Sequence, residues 1–468
     1  MKFFWHVLLT LFLGSMLTPS GVLLAQEDAP ALNPEDIRTV KAIFDEVLVS
    51  AESYRLLDHL SNQIGQRLSG SEGAAKAVAW TKRVMEDYGF DHVFLQEVMV
   101  PHWERGNPEV ARIGGASGAD LRVLAIGGSV ATPEDGLSAE VVEVQSLDEV
   151  AELGEARIKG KIVFYNRPFD QRNISTGAGY GGAVDQRVGG ASRAAQYGAV
   201  GVVIRSVTSM FDDAPHTGTL SYADTLPRIP AAALGVQSAD RLTEALRKDP
   251  HTRLYLKMDC RWLPDALSHN VVGELKGSEF PDQYIVIGGH LDSWDVGQGA
   301  HDDGAGCMQA IGVLRTFQKL GIRPRHTLRA VMFMNEENGT RGGKKYAELA
   351  VQNNEQHLLA IESDAGGFSP RGFGVSGPDA VLEKMRGWLP YFDHNTVTFF
   401  RKGGGGVDIR PLHQAMDVPM VGLSTEGQRM FDVHHSEHDI FENVNRRELE
   451  LGTGAMAVLV YLVDKYGL

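Results

Sequence analysis

From Tyr284 to the C terminus, short apolar runs alternate with stretches of helical periodicity, and few folds accommodate that order. Tyr284-Ile-Val-Ile-Gly288 is apolar throughout, as expected of a parallel strand covered on both faces. The spacing then predicts a helix from Gly304 to Leu320. Cys307, Ile311, Leu314 and Phe317 share one of its faces, and Gly321 is its stop. Strands follow at Leu328–Met334, Leu358–Ser363 and Pro419–Ser424, with helices at Gly343–Gln352 and Arg447–Tyr466. Alternation of this kind implies an α/β fold with a doubly wound, mainly parallel sheet.

The N-terminal part adds helices and one strand. Ile37, Val40, Ile43, Phe44 and Val47 form one helical stripe; Tyr54, Leu57, Leu60 and Ile64 form another. A turn at Ser69–Gly73 caps a predicted helix from Ala74 to Tyr88, and Val93–Val100 reads as a strand. Near Gly106 the composition changes to Gly, Ala and Val with short strands, until about Leu263. We read residues 106–263 as an inserted β-rich domain that divides a larger domain of residues 26–105 and 264–468. Residues 1–25 read as a secretory signal peptide: Lys2, an apolar stretch to Leu17, and small residues before a cut near Ala25. That places the mature protein in the periplasm or the extracellular medium, with no membrane attachment after cleavage. The two cysteines, Cys260 and Cys307, permit an oxidising compartment without demanding one. A net charge of −15 argues against nucleic acid as a partner.

Ligand-type residues recur where these strands end. His290 follows the first, Glu336 and Glu337 the second, and Asp364 the third; Asp302 opens the predicted helix, and His435 lies beyond the last strand. In open α/β sheets ligands collect past the carboxyl ends of strands. Imidazoles mixed with carboxylates suit Zn²⁺. Five such groups, one shared, hold two ions about 3.5–4 Å apart. In the assignment we favour, Asp302 bridges, His290 and Asp364 complete one ion, and Glu337 and His435 the other. Glu336 then acts as general base on a metal-activated water. Asp292 is expected to accept the second ring N–H of His290 and fix its tautomer. His434 competes with His435. No Gly-x-Ser-x-Gly elbow or His-Glu-x-x-His motif occurs, so acyl-enzyme and thermolysin-like chemistry are not indicated.

The segments Gly288-Gly-His-Leu-Asp-Ser-Trp-Asp, Ala300-His-Asp-Asp-Gly304, Asn335-Glu-Glu-Asn-Gly339, Glu362-Ser-Asp-Ala-Gly366 and His434-His-Ser-Glu-His-Asp439 closely resemble the co-catalytic zinc peptidases, best of all the carboxypeptidase Q group. Ile64-Gly-Gln-Arg-Leu-Ser-Gly-Ser71 is similar to the N-terminal signature of that group. The resemblance implies two Zn²⁺ per subunit, an exopeptidase of short peptides or dipeptides, and a homodimer. It also implies that the insertion is a protease-associated domain and that the histidine before Ser436 is the last ligand. His301 and Asn335 depart from the usual pattern beside the ligands. An aminopeptidase, a non-catalytic ectodomain and a glutaminyl-cyclase-like acyltransferase are the competing readings on the same fold.

Overall fold

The computed structural model describes residues 32–468. The leader expected at residues 1–25 lies outside that range. The chain builds two eight-stranded sheets.

The first sheet runs in the order His92–Glu104, Arg261–Leu275, His326–Phe333, Phe280–His290, Gln356–Glu362, Met420–Thr425, Pro370–Ser376 and Phe399–Lys402. Its four central strands, from His326–Phe333 to Met420–Thr425, are parallel. Antiparallel neighbours flank them on both sides. Side chains alternate between the two faces. Ile285 and Ile287 pack with Ile311, Leu314 and Phe317, while Val286 packs with Tyr346, Ala347 and Leu412. All three strand residues are fully buried, each worth about 1.5–3 kcal/mol relative to exposure. Helices Pro34–Ser50, Ala305–Leu320 and Arg446–Tyr466 cover one face; Arg341–Gln352 and Arg410–Met416 cover the other. Asn33 caps the first helix by accepting from the Glu35 N–H, and Gly321 ends Ala305–Leu320 in the left-handed region.

The second sheet uses only residues from Val110–Ile113 to Arg253–Lys257. Its centre is also parallel: Leu137–Val144, Ile162–Tyr165, Gly201–Arg205 and Ala231–Leu234. Its own core includes Ile162, Phe164, Val203 and Leu254. The chain enters it from His92–Glu104 and leaves through Arg261–Leu275, two strands paired along their length.

Candidate active site

His290 is the last residue of its strand. Its backbone N–H donates to Asp303 Oδ2 at 3.1 Å, and its Nδ1 lies 2.9 Å from the Asp292 carbonyl oxygen. Since a carbonyl only accepts, Nδ1 carries the proton and Nε2 is free as a ligand. Nε2 points at Asp302 Oδ1, 3.1 Å away, and Asp364 Oδ1, 3.6 Å away. The preceding Gly289 makes this possible: a Cβ there would stand 2.3 Å from Asp303 Oδ2 and 2.8 Å from the Cys307 nitrogen.

Asp302 sits in the turn before helix Ala305–Leu320. Its other oxygen, Oδ2, faces His435 Nε2 at 3.2 Å, and His435 Nε2 lies equally 3.2 Å from Glu337 Oε2. One carboxylate thus presents an oxygen to each of two ligand groups. His434 stacks on His435 with ring centroids 3.5 Å apart, but its Nε2 is 3.6 Å from Asp302 Oδ2. Grouped by mutual distance alone, Asp302, His434 and His435 also form a metal-ligand set. We favour His435, because it alone of the pair lies at 3.2 Å from both carboxylates.

The electrostatics call for cations. Burial opposes a charge on His290, yet Asp302 and Asp364 hold its imidazole well above its usual range. Burial, then Asp302, pushes Glu337 up to about 7. Burial also raises Glu336 strongly, with Asp364, Glu337 and Asp302 adding to it. Glu337 Oε1 is buried without a hydrogen-bond partner among the described residues. An orphaned carboxylate oxygen among nitrogen and oxygen donors is what a borderline divalent ion would satisfy, so the residues fit zinc.

Asp292 accepts the second ring N–H of His290 through its backbone carbonyl. The carboxylate instead accepts the backbone N–H groups of Asn335 at 2.6 Å, Glu336 at 3.0 Å and Glu337 at 3.4 Å. It therefore sets the turn that aims both glutamates. Three supporting residues had no role in the sequence reading. Asp439 accepts from the N–H groups of His301 at 2.6 Å and Asp302 at 3.1 Å. Asp303 accepts from Gly306 N–H at 3.0 Å and from His290 N–H at 3.1 Å. Arg67, fully buried, donates to the carbonyls of Leu291, Gln298 and Gly299 and fixes the loop between His290 and Asp302. Arg67 falls in the Ile64–Ser71 segment noted above, the one local signal that pointed to it. In the glycine run 403–406, a Cβ on Gly406 would strike the Glu362 carboxyl, 1.8 Å away.

Glu336, Glu337, Asp302, Asp364 and His435 open into a cleft of about 1000 Å³. Its opposite wall comes from the second-sheet segment, through Thr176, Tyr180, Arg187, Thr219 and Leu220. That segment also grips the loop carrying His435. Thr217 N–H donates to the His435 carbonyl at 2.9 Å, and His216 Nδ1 reaches the His434 carbonyl at 2.7 Å. Thr208 Oγ1 donates to the Phe431 carbonyl at 2.7 Å.

The model of Peptidase family M28 matches residues 270–460. Carboxypeptidase Q of Bos taurus is 35% identical over 411 residues, 88% of this chain and 85% of that protein. Carboxypeptidase Q of Xenopus laevis is 37% identical over the same shares. The crystal structure of a Peptidase M28 precursor from Shewanella amazonensis SB2B matches with a TM-score of 0.87 at 31% identity, over 92% of this chain and 97% of that one. BSAP, a zinc aminopeptidase from Bacillus subtilis, matches with a TM-score of 0.65 at 19% identity, over 88% of this chain and 94% of that one, a likeness of fold alone. Sequence, fold and site together make the chain a member of peptidase family M28 and a zinc metallopeptidase.

Proposed function

We propose that the chain is a dinuclear zinc exopeptidase of short peptides, with Asp302 as the shared ligand and Glu336 as general base. His290, Asp302 and Asp364 would hold one ion, and Asp302, Glu337 and His435 the other. The observation that carries this reading is the division of Asp302, with Oδ1 toward His290 and Oδ2 toward His435. Bound zinc would polarise the scissile carbonyl and make a coordinated water acidic enough to ionise near neutral pH. Glu336 takes the proton from water and returns it to the leaving nitrogen. Its backbone N–H is held by Asp292, so the carboxyl stays aimed into the cleft.

The same proposal includes a secreted or periplasmic, homodimeric protein and a protease-associated assignment for residues 106–263. Among the described residues no helix is long and apolar enough to cross a membrane. The confinement of the second sheet to residues between the two paired strands supports an insertion. Metal analysis of the purified protein, with kinetics on unblocked dipeptides, tests the core of the reading. Two zinc ions per chain and zinc-dependent hydrolysis are expected. A stoichiometry of one, or no cleavage of any dipeptide by the zinc-loaded protein, overturns it.

A further inference from the structure

Three loops bring the ligand groups together around Asp302, and the residue before it bonds to all three. His301 is buried. Its backbone N–H donates to Asp439 Oδ1 at 2.6 Å. Its ring lies flat on Phe368, with centroids 4.2 Å apart and planes 13° from parallel. The Gly367 N–H donates to its Nδ1 at 3.1 Å. A backbone N–H only donates, so Nδ1 is the bare nitrogen and Nε2 carries the proton. Nε2 then donates to the Asn443 carbonyl at 3.3 Å. Both ring nitrogens are therefore engaged by backbone, and neither is left for a metal. The ring ties the Asp302 turn to the loop after Asp364 and to the segment that follows His435.

Asp364 is the ligand that most needs such a tie. It faces His290 Nε2 at 3.6 Å, and among the described residues no N–H or O–H donates to its carboxylate. Its place is thus set by the backbone around it. Ser363 N–H donates to the Gly288 carbonyl at 3.1 Å, Thr425 Oγ1 donates to the Ala365 carbonyl at 2.6 Å, and Gly367 N–H donates to His301. The last of these refers Asp364 to the stretch that carries Asp302. The loop is shaped to the imidazole: Gly366 has φ +75°, and a Cβ there would stand 3.2 Å from His301 Nδ1 and 2.7 Å from the Phe368 ring. We propose that His301 is a positioning residue, which sets the spacing of Asp302 and Asp364 and thereby the zinc affinity of the site formed by His290, Asp302 and Asp364. Groups that orient ligands without touching the metal govern affinity in this way.

This inference rests on the two-ion reading, and the experiment separates the two. Zinc is titrated into the metal-free full chain against a chelating indicator, and bound zinc is counted by native mass spectrometry. His301→Phe keeps a flat ring on Phe368 and removes both ring hydrogen bonds. It should weaken one of the two zinc sites by about 10–100-fold and leave the other within about threefold of wild type. His301→Asn offers an oxygen where Nδ1 stands and should recover most of the loss. His301→Gln reaches toward Asn443 rather than Gly367 and should behave like His301→Phe; if His301→Phe does not fold, the Asn and Gln variants decide by themselves. Asp364→Asn should weaken the same site, and its loss should not add to that of His301→Phe in the double variant. Wild-type affinity at both sites in His301→Phe and His301→Gln, equal losses at both sites, no recovery in His301→Asn, or additive losses with Asp364→Asn overturns the assignment while the two-ion reading stands. A wild type that binds a single zinc ion sinks that reading and this inference with it.

Discussion

Both sheets have four parallel strands at the centre and antiparallel strands at the margins, yet the loops beyond their carboxyl ends do different work. In the first sheet these loops carry charge: His290, Glu336, Glu337 and Asp364. In the second they carry grips. The segment after Ile162–Tyr165 supplies Tyr180 and Arg187, and the segment after Gly201–Arg205 supplies Thr208, His216 and Thr217. The rule that function collects at strand ends holds twice, once for chemistry and once for positioning. The two regions also differ in tolerance. A shift at the first set moves a reacting group; a shift at the second acts through the His435 loop.

The largest expected effect lies in the first region. Glu336→Gln should lower kcat by about 10²–10⁴-fold while zinc content and melting behaviour stay as in the wild type. Turnover near wild type would remove Glu336 from the mechanism and erase the division between the regions. Next comes the joint between them. Trp294 lies in the loop after Phe280–His290, yet its ring is buried in the second core, beside His435 at 5.8 Å. Trp294→Ala should cost about 3–5 kcal/mol in denaturant unfolding. A cost under about 1 kcal/mol would mean the two cores are not joined there.

A smaller effect concerns charge buried away from the site. Glu450, on the helix covering the first sheet, accepts from Tyr54 N–H with one oxygen at 2.8 Å and leaves the other unpartnered. Burial pushes its carboxyl up to about 7 from 4.5. The folded protein keeps this proton where the unfolded chain has lost it. The contribution is therefore fullest below pH 4.5 and is lost as pH rises to about 7. Glu450→Gln should stabilise the protein at pH 8 by about 1–3 kcal/mol relative to wild type, and by little at pH 4.5. Equal effects at both pH values would refute the buried-proton account. The smallest effect belongs to the second region. Thr208→Val removes the bond to the Phe431 carbonyl and should lower kcat/KM by about three- to tenfold, with stability changed by less than about 1.5 kcal/mol. Unchanged kinetics would show that the grip on the His435 loop is redundant.

Much of the fold was legible from periodicity. The helix predicted at Gly304–Leu320 forms as Ala305–Leu320, and the strand predicted at Leu358–Ser363 as Gln356–Glu362. The strands Pro370–Ser376 and Phe399–Lys402 were not foreseen. Pro370-Arg-Gly-Phe-Gly-Val-Ser has a proline and two glycines, which weaken any strand signal. Those glycines are needed for packing instead: a Cβ on Gly374 would meet the Gly403 carbonyl oxygen at 2.5 Å. Asp439 was equally silent, because its role is to hold residues 137 and 138 positions earlier in the chain.

By itself the sequence determined which chemical groups stand at which strand ends. Side-chain type and the periods of helix and strand are local properties, readable from neighbours in the chain. Only the tertiary structure decided which oxygen of Asp302 meets which histidine, why His435 is favoured over its neighbour, and that the Asp292 carboxylate holds a turn rather than a ring. It also decided that Arg187, far away in sequence, faces the same cleft. Those outcomes depend on contacts between segments tens to hundreds of residues apart, set by how two cores pack and which loops they pin, and no local pattern encodes them.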